Sequence, residues 1–229
     1  MSLIPSFIYK SDFSKYLGTS DQAKYLIDYL NTINAETCIC EKYIDKDYLV
    51  DFQKFYCRSF KPYPRFTDRF HFFQEKIDET KFSELVEKND INGLKKLFAS
   101  YLGFIIKKPV SDEFGNELIG RTMLQTYPKK DQYGNDRCFI VNENEVCLFG
   151  VPLKIKSVPF QMQDQRVSAC ATISLWTTLH ALSELFDIPK SSPSEITEIS
   201  TSFISKYRNF PQGGLTIGQM LKCIRSMGD

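Results

Sequence analysis

A chain of 229 residues, 42% of them hydrophobic and 25% charged, has the composition of a folded globular protein rather than a disordered one. It is long enough for one large domain or two small ones. The formal net charge of +1, with no long block of either sign, removes the electrostatic argument for a nucleic-acid partner or an anionic membrane surface.

The opening MSLIPSFIYKSDFSKYLG has no charged start followed by an apolar run, so no signal peptide is expected. No stretch approaches the roughly 18 apolar residues that a membrane span requires. The seven scattered cysteines, an odd number, fit reduced thiols in a cytoplasm better than a disulfide framework. Cys38 and Cys40 do not have zinc-ligand spacing and His is scarce, so neither a metal nor a cofactor is expected. Nineteen Phe and 12 Tyr point to a bulky aromatic core.

Residues 1–100 read as a mostly helical region. Ser20 is placed to cap a helix whose apolar positions Leu26, Ile27, Leu30 and Ile33 recur at helical spacing. TCICEKYI (37–44) is short, alternating and rich in β-formers, and predicts a strand. Asp45 then opens DKDYLVDFQKFYCRSF, a helix with Leu49, Phe52, Phe55 and Tyr56 on one face. Asp45, Asp47 and Asp51 could suggest a metal loop, but the interleaved Tyr48, Leu49 and Val50 fit a helix start better. The prolines of KPYPRF end that helix. A strand at RFHFF (69–73) and two short helices, TKFSELVEK and INGLKKLFASYL with Asp90 as cap, follow.

From 101 to 159 the period changes to two. GFIIKKPV, RTMLQTYP, RCFIV, EVCLFG and VPLKIKSV predict a small antiparallel sheet. NEN (142–144) reads as the hairpin connection between two of these strands, and DEFGNE and KKDQYGND as exposed turns. Cys138 and Cys147 read as inert core thiols on strands. From 160 to 229 a Gln-rich loop runs into a long apolar helix. SSPSE starts another helix, expected to reach about Tyr207, and TIGQMLKCIRSMGD a last one. The fold class is α+β: a mixed N-terminal region with a small antiparallel sheet, followed by helices.

The chemistry is argued from 160–180. A thiol becomes a useful nucleophile as its pKa falls toward ambient pH, which unpaired N–H groups and the dipole at a helix N-terminus promote. Cys170 stands where the polar loop meets the apolar helix, and its neighbours Ser168, Ala169, Ala171 and Thr172 are small enough for a substrate backbone to approach. The helix behind it, with Ile173, Leu175, Trp176, Leu179, Leu182, Leu185 and Phe186, is expected to be buried and to mount the sulfur rigidly. Upstream lie Gln161, Gln163 and Gln165. Any one of them also reads as part of a solvated loop, but a side-chain amide beside the nucleophile's backbone N–H is the donor pair an acyl-transfer oxyanion needs.

QMQDQRVSACATISLW resembles the nucleophile segment of papain-like cysteine peptidases, nearest to the bacterial bacteriocin-processing (double-glycine) peptidases and their relatives. The resemblance implies that Cys170 is the nucleophile and that a Gln six or seven residues before it forms the oxyanion hole. Gln163, seven before, is preferred over Gln165, five before. GGLTIGQMLKCIRSMG also resembles these peptidases, so the likeness covers about the last 70 residues. It departs at Ala171, where the family usually has Gly, and at Trp176, where the aromatic residue is not beside the Cys. It implies a cytoplasmic, bacterial thiol-dependent amide hydrolase or acyl transferase acting on protein or peptide.

The base for such a thiol is normally His. His180 lies ten residues after Cys170 on the same expected helix, roughly 15 Å along its axis, and reads as a histidine at the rim of the core. His71, in RFHFFQ, reads as a packed one. The resemblance implies a histidine from a strand after the helical half, so these residues are expected to be the N-terminal part of a longer protein, with His beyond Asp229. The alternative is a non-catalytic protein-interaction or regulatory module on the same scaffold. Transglutaminase-like or deamidase activity would use the same dyad. Arg65, Arg69 and Arg121 read as surface salt-bridge partners rather than anion binders.

Overall fold

The computed structural model describes residues 5–112, 115–163, 170–202 and 214–228. The protein is α+β. A five-stranded antiparallel sheet has the order β1 (Ser6–Tyr9), β2 (Thr37–Tyr43), β3 (Thr67–Phe73), β4 (Tyr101–Ser111), β5 (Glu117–Leu124), and a two-stranded hairpin joins β6 (Asn142–Leu148) to β7 (Val151–Ser157). Among the described residues, no helix is long and apolar enough to cross a membrane.

The chain separates into two compact units, neither of them a continuous run. Unit 1 comprises 1–42, 68–107 and 122–158; unit 2 comprises 43–67, 108–121 and 159–229. The pattern changes near 100 and 159 mark where the local period changes. The units are assembled differently, by pairing between segments distant in sequence.

In unit 1, α1 (Phe13–Leu17) leads to α2 (Asp21–Thr32), where Ser20 Oγ accepts the Ala23 N–H at 3.1 Å and Ala23, Leu26 and Leu30 face inward. α4 (Glu79–Glu87) and α5 (Ile91–Leu97) start at Asp78 and Asp90, whose carboxylates accept N–H groups of the first turn. Their apolar faces join Ile39, Phe73, Leu148, Val151 and Leu153 in one core that includes Phe82, Leu94 and Phe98. Each such buried side chain contributes about 1.5–3 kcal/mol relative to exposure.

β3 and β4 pair with a bulge: Phe72 faces Gly103 but Phe73 faces Tyr101, which leaves Leu102 as the extra residue. Gly103 has φ +115°, and a Cβ there would lie 2.0 Å from the Met123 carbonyl oxygen, so only glycine fits.

Two expectations for the β region are corrected. NEN is not a turn: Asn142, Glu143 and Asn144 pair with Ser157, Lys156 and Ile155. The hairpin turns instead at Phe149 (φ 47°) and Gly150 (φ 77°), the two positive φ values of a tight type I′ turn. Phe149 tolerates that position while packing edge-to-face on Phe82 at 5.1 Å. RCFIV (137–141) forms no strand. Phe139, Ile140 and Val141 are exposed, and β-forming residues without a neighbouring strand have nothing to pair with.

DEFGN and DQYGN, at 112–116 and 131–135, close in the same way. In each the Asp N–H donates to the Asn carbonyl at 2.9 Å, the Asn N–H returns to the Asp carboxylate at 2.8 Å, and the Gly has φ +84°.

Unit 2 holds α3 (Lys46–Lys54), α6 (Cys170–Phe186), α7 (Pro193–Thr201) and α8 (Ile217–Gly228). α7 opens with a full capping box between Ser192 and Glu195 and with Pro193 in the first turn. The helix is described as far as Thr201; the stretch expected to carry it to Tyr207 falls in 203–213, outside the described residues. Leu175, Trp176 and Leu179 of α6, Ile196 of α7, and Cys223 and Met227 of α8 form one core cluster. Tyr48, Phe52, Tyr56, Val110 and Leu118 form another.

Candidate functional site

α6 begins at Cys170 and runs for 17 residues. Its first four turns are held by the burial of Ile173, Leu175, Trp176 and Leu179, with Trp176 wholly inaccessible. The mount is not buried throughout: Leu185 and Phe186, expected in the core, are 66% and 67% exposed.

The Cys170 thiol is exposed and donates to Gln163 Oε1 at 3.0 Å. Gln163 is brought there by Met162, whose N–H donates to the Ile119 carbonyl at 3.0 Å and whose side chain packs on the Tyr48 and Phe52 cluster. The Cys170 carbonyl accepts the Ser174 hydroxyl at 3.0 Å. Gln165, Ser168 and Ala169 lie outside the described residues. Gln161 is buried, not solvated, and among the described residues neither of its amide atoms has a hydrogen-bond partner.

Neither histidine is free to act as a base. His180 is buried on α6, donates from Nε2 to the Ser191 carbonyl at 3.0 Å and stacks on Trp176 with centroids 4.4 Å apart. Burial pushes its imidazole down to about 4. His71 belongs to unit 1 and has both ring nitrogens engaged, Nδ1 with the Tyr101 hydroxyl and Nε2 with Glu41, each at 3.1 Å. Burial lowers its pKa despite the Glu41 bond, which favours the charged form.

Two arginines taken for surface partners lie inside. Arg69 is buried and donates twice to Glu41 and once to the Cys147 carbonyl. Arg121, half-buried, donates to Asp45 Oδ2 at 2.6 Å. Arg65 stands over the Phe52 ring at 5.7 Å. Cys138 and Cys147, expected in the core, are exposed; so is Cys57, whereas Cys38 and Cys223 are buried, and all seven cysteines are free.

The feature that sequence reasoning missed is on α3. Its buried face is Asp47, Tyr48, Asp51 and Phe52, not Leu49 and Phe55, because the acids have partners. Asp45 caps the helix through the Tyr48 N–H, Asp47 Oδ2 accepts the Trp176 indole N–H at 3.2 Å, and Asp51 faces Lys108 Nζ at 3.6 Å. The signal was present: Asp47 and Asp51 are four apart, and Lys107 and Lys108 interrupt a run of otherwise apolar β residues. Among the described residues, no group of three His, Cys, Asp or Glu is arranged to hold a metal ion.

Protein-family models, curated proteins and solved structures were each compared with this chain, and none matches it.

Proposed function

We propose that Cys170 is the nucleophile of a papain-like thiol amide hydrolase or acyl transferase acting on protein or peptide in a reducing, cytoplasmic setting. The observation that carries this reading is an exposed thiol on the first residue of a buried helix, 3.0 Å from the Gln163 amide. The sulfur would attack an amide carbonyl to form a tetrahedral oxyanion, and the Gln163 N–H groups with the Cys170 backbone N–H would receive that charge. Collapse would expel the amine, protonated by an imidazolium, and leave a thioester for water or a second amine to open. With both histidines engaged, the imidazole comes from outside these 229 residues. The seven free cysteines support a reducing location.

The test is alkylation of the intact chain by iodoacetamide at pH 7, mapped by peptide mass spectrometry. Cys170 is expected to react about tenfold faster than the other exposed thiols, Cys57, Cys138 and Cys147. Equal rates at all four would sink the proposal.

The engagement of both histidines also favours a second reading, a protein-interaction module on the same scaffold. Cys170→Ala separates the two: an interaction module keeps its partner binding and stability, whereas an enzyme keeps its stability and loses turnover.

A further inference from the structure

The buried charges of unit 2 have no part in the chemistry proposed for Cys170. Asp45, Asp47 and Asp51 of α3 are all buried, and they meet Lys108 of β4 and Arg121 of β5. Among the described residues, three acids against two cations leave one negative charge in excess, and a buried excess charge is removed most readily by a proton. The contacts select where that proton goes. Asp45 accepts from the Arg121 guanidinium at 2.6 Å and Asp51 faces the Lys108 ammonium at 3.6 Å, so both have a cation. Asp47 Oδ2 accepts from a neutral donor, the indole N–H of Trp176.

We propose that this cluster is a proton-responsive clamp on α6: the excess charge is neutralised at Asp47, and the protonation state of that carboxyl sets its hold on Trp176, in the helix that Cys170 opens. A carboxylate gives the indole a charge-assisted acceptor, and the neutral acid a weaker one. Burial, with Asp45 and Asp51 close by, pushes the Asp47 carboxyl up to about 6 although Arg121 and Lys108 oppose it, so the change falls just below neutral pH. The remaining ionisable neighbours act elsewhere. His180, stacked on Trp176, is held down to about 4 and titrates apart from Asp47. On α7, which packs against both α3 and α6, Glu195 is tied to the Ser192 N–H and Glu198 to Lys54. The clamp does not depend on what Cys170 does; only its consequence for that thiol rests on the reading above.

Trp176 is the one tryptophan of these 229 residues, so their 1H–15N spectrum contains a single indole N–H. That resonance is expected to titrate with a midpoint near pH 6, in parallel with the tryptophan emission, while the far-ultraviolet circular dichroism stays constant. Asp47→Asn should abolish this step and leave the one near pH 4 that His180 produces. Should the variant not fold, the wild-type titration alone decides. A flat indole signal between pH 5 and 8 overturns the clamp, and an unchanged midpoint in Asp47→Asn overturns its assignment to Asp47. Slow alkylation of Cys170 would count against the nucleophile and leave this titration untouched.

Discussion

Replacing Lys108 by Met tests whether the charges under α3 are paired in energetic as well as geometric terms. The Lys108 and Asp51 side chains are 2% and 1% exposed and stand 3.6 Å apart. At an effective dielectric constant of ~20, two unit charges at that distance attract by about 4–5 kcal/mol. Methionine keeps the length and volume of the lysine stem, so the substitution removes the charge with little change in packing. It leaves a carboxylate buried without its cation, a change that costs about 3–5 kcal/mol in comparable pairs. Urea unfolding followed by Trp176 emission reads the unit that holds the pair. Lys108→Met should lower its stability by about 3–5 kcal/mol, and Asp51→Asn in the same chain should restore most of the loss. A single-variant loss below about 1 kcal/mol, or a double variant no better than the single one, would refute the argument.

Further outcomes follow from other contacts. The folded chain holds the Asp47 proton up to about 6 whereas an unfolded one releases it near 3.8, so this group's penalty is absent in acid and grows as the pH rises between those values. Asp47→Asn should therefore be more stable than the wild type above pH 7, by up to about 3 kcal/mol at 1.36 kcal/mol per pH unit, and should lose that advantage by pH 4 in the same urea assay. In unit 1 burial pushes the Glu41 carboxyl up, but the bonds from His71 and Arg69 prevail and lower it, so its contribution is present above the ordinary carboxylate range and is lost as the pH falls through the folded value. Glu41→Gln should cost about 2–3 kcal/mol at pH 7 and progressively less as the pH is lowered, measured by amide hydrogen exchange in β2 and β3. Gly103→Ala should prevent unit 1 from folding, seen as loss of protected amides in β3 and β4; native-like protection would disprove the steric argument at the bulge.

Where a local rule decides the structure, the sequence was readable. Ser20, Asp78, Asp90 and Ser192 cap helices because a side-chain oxygen and an N–H two or three residues later need nothing else. Strands 37–43 and 67–73 follow from β-formers in short runs. Reading failed where the partner is far away in the chain. Asp47 and Asp51 face inward only because Lys108 and Trp176 wait there, 57 residues after Asp51 and 129 after Asp47. RCFIV has strand composition and no strand to join. NEN yielded to Phe149 and Gly150 because the register of a hairpin is set by both of its arms. The position of Cys170 at the start of the described helix was legible and the Gln163 contact was legible only as a spacing; a base for the proposed nucleophile was not legible, since both His are engaged elsewhere.

The interleaving of the two units has a consequence for synthesis. When the ribosome has delivered residue 158, every segment of unit 1 exists, whereas unit 2 has only 43–67 and 108–121. Those two pieces carry Asp45, Asp47, Asp51, Lys108 and Arg121, but the indole that Asp47 accepts from has still to be made. A nascent chain halted at that length would thus expose a charged, half-built layer to chaperones. Release from them would await the emergence of α6.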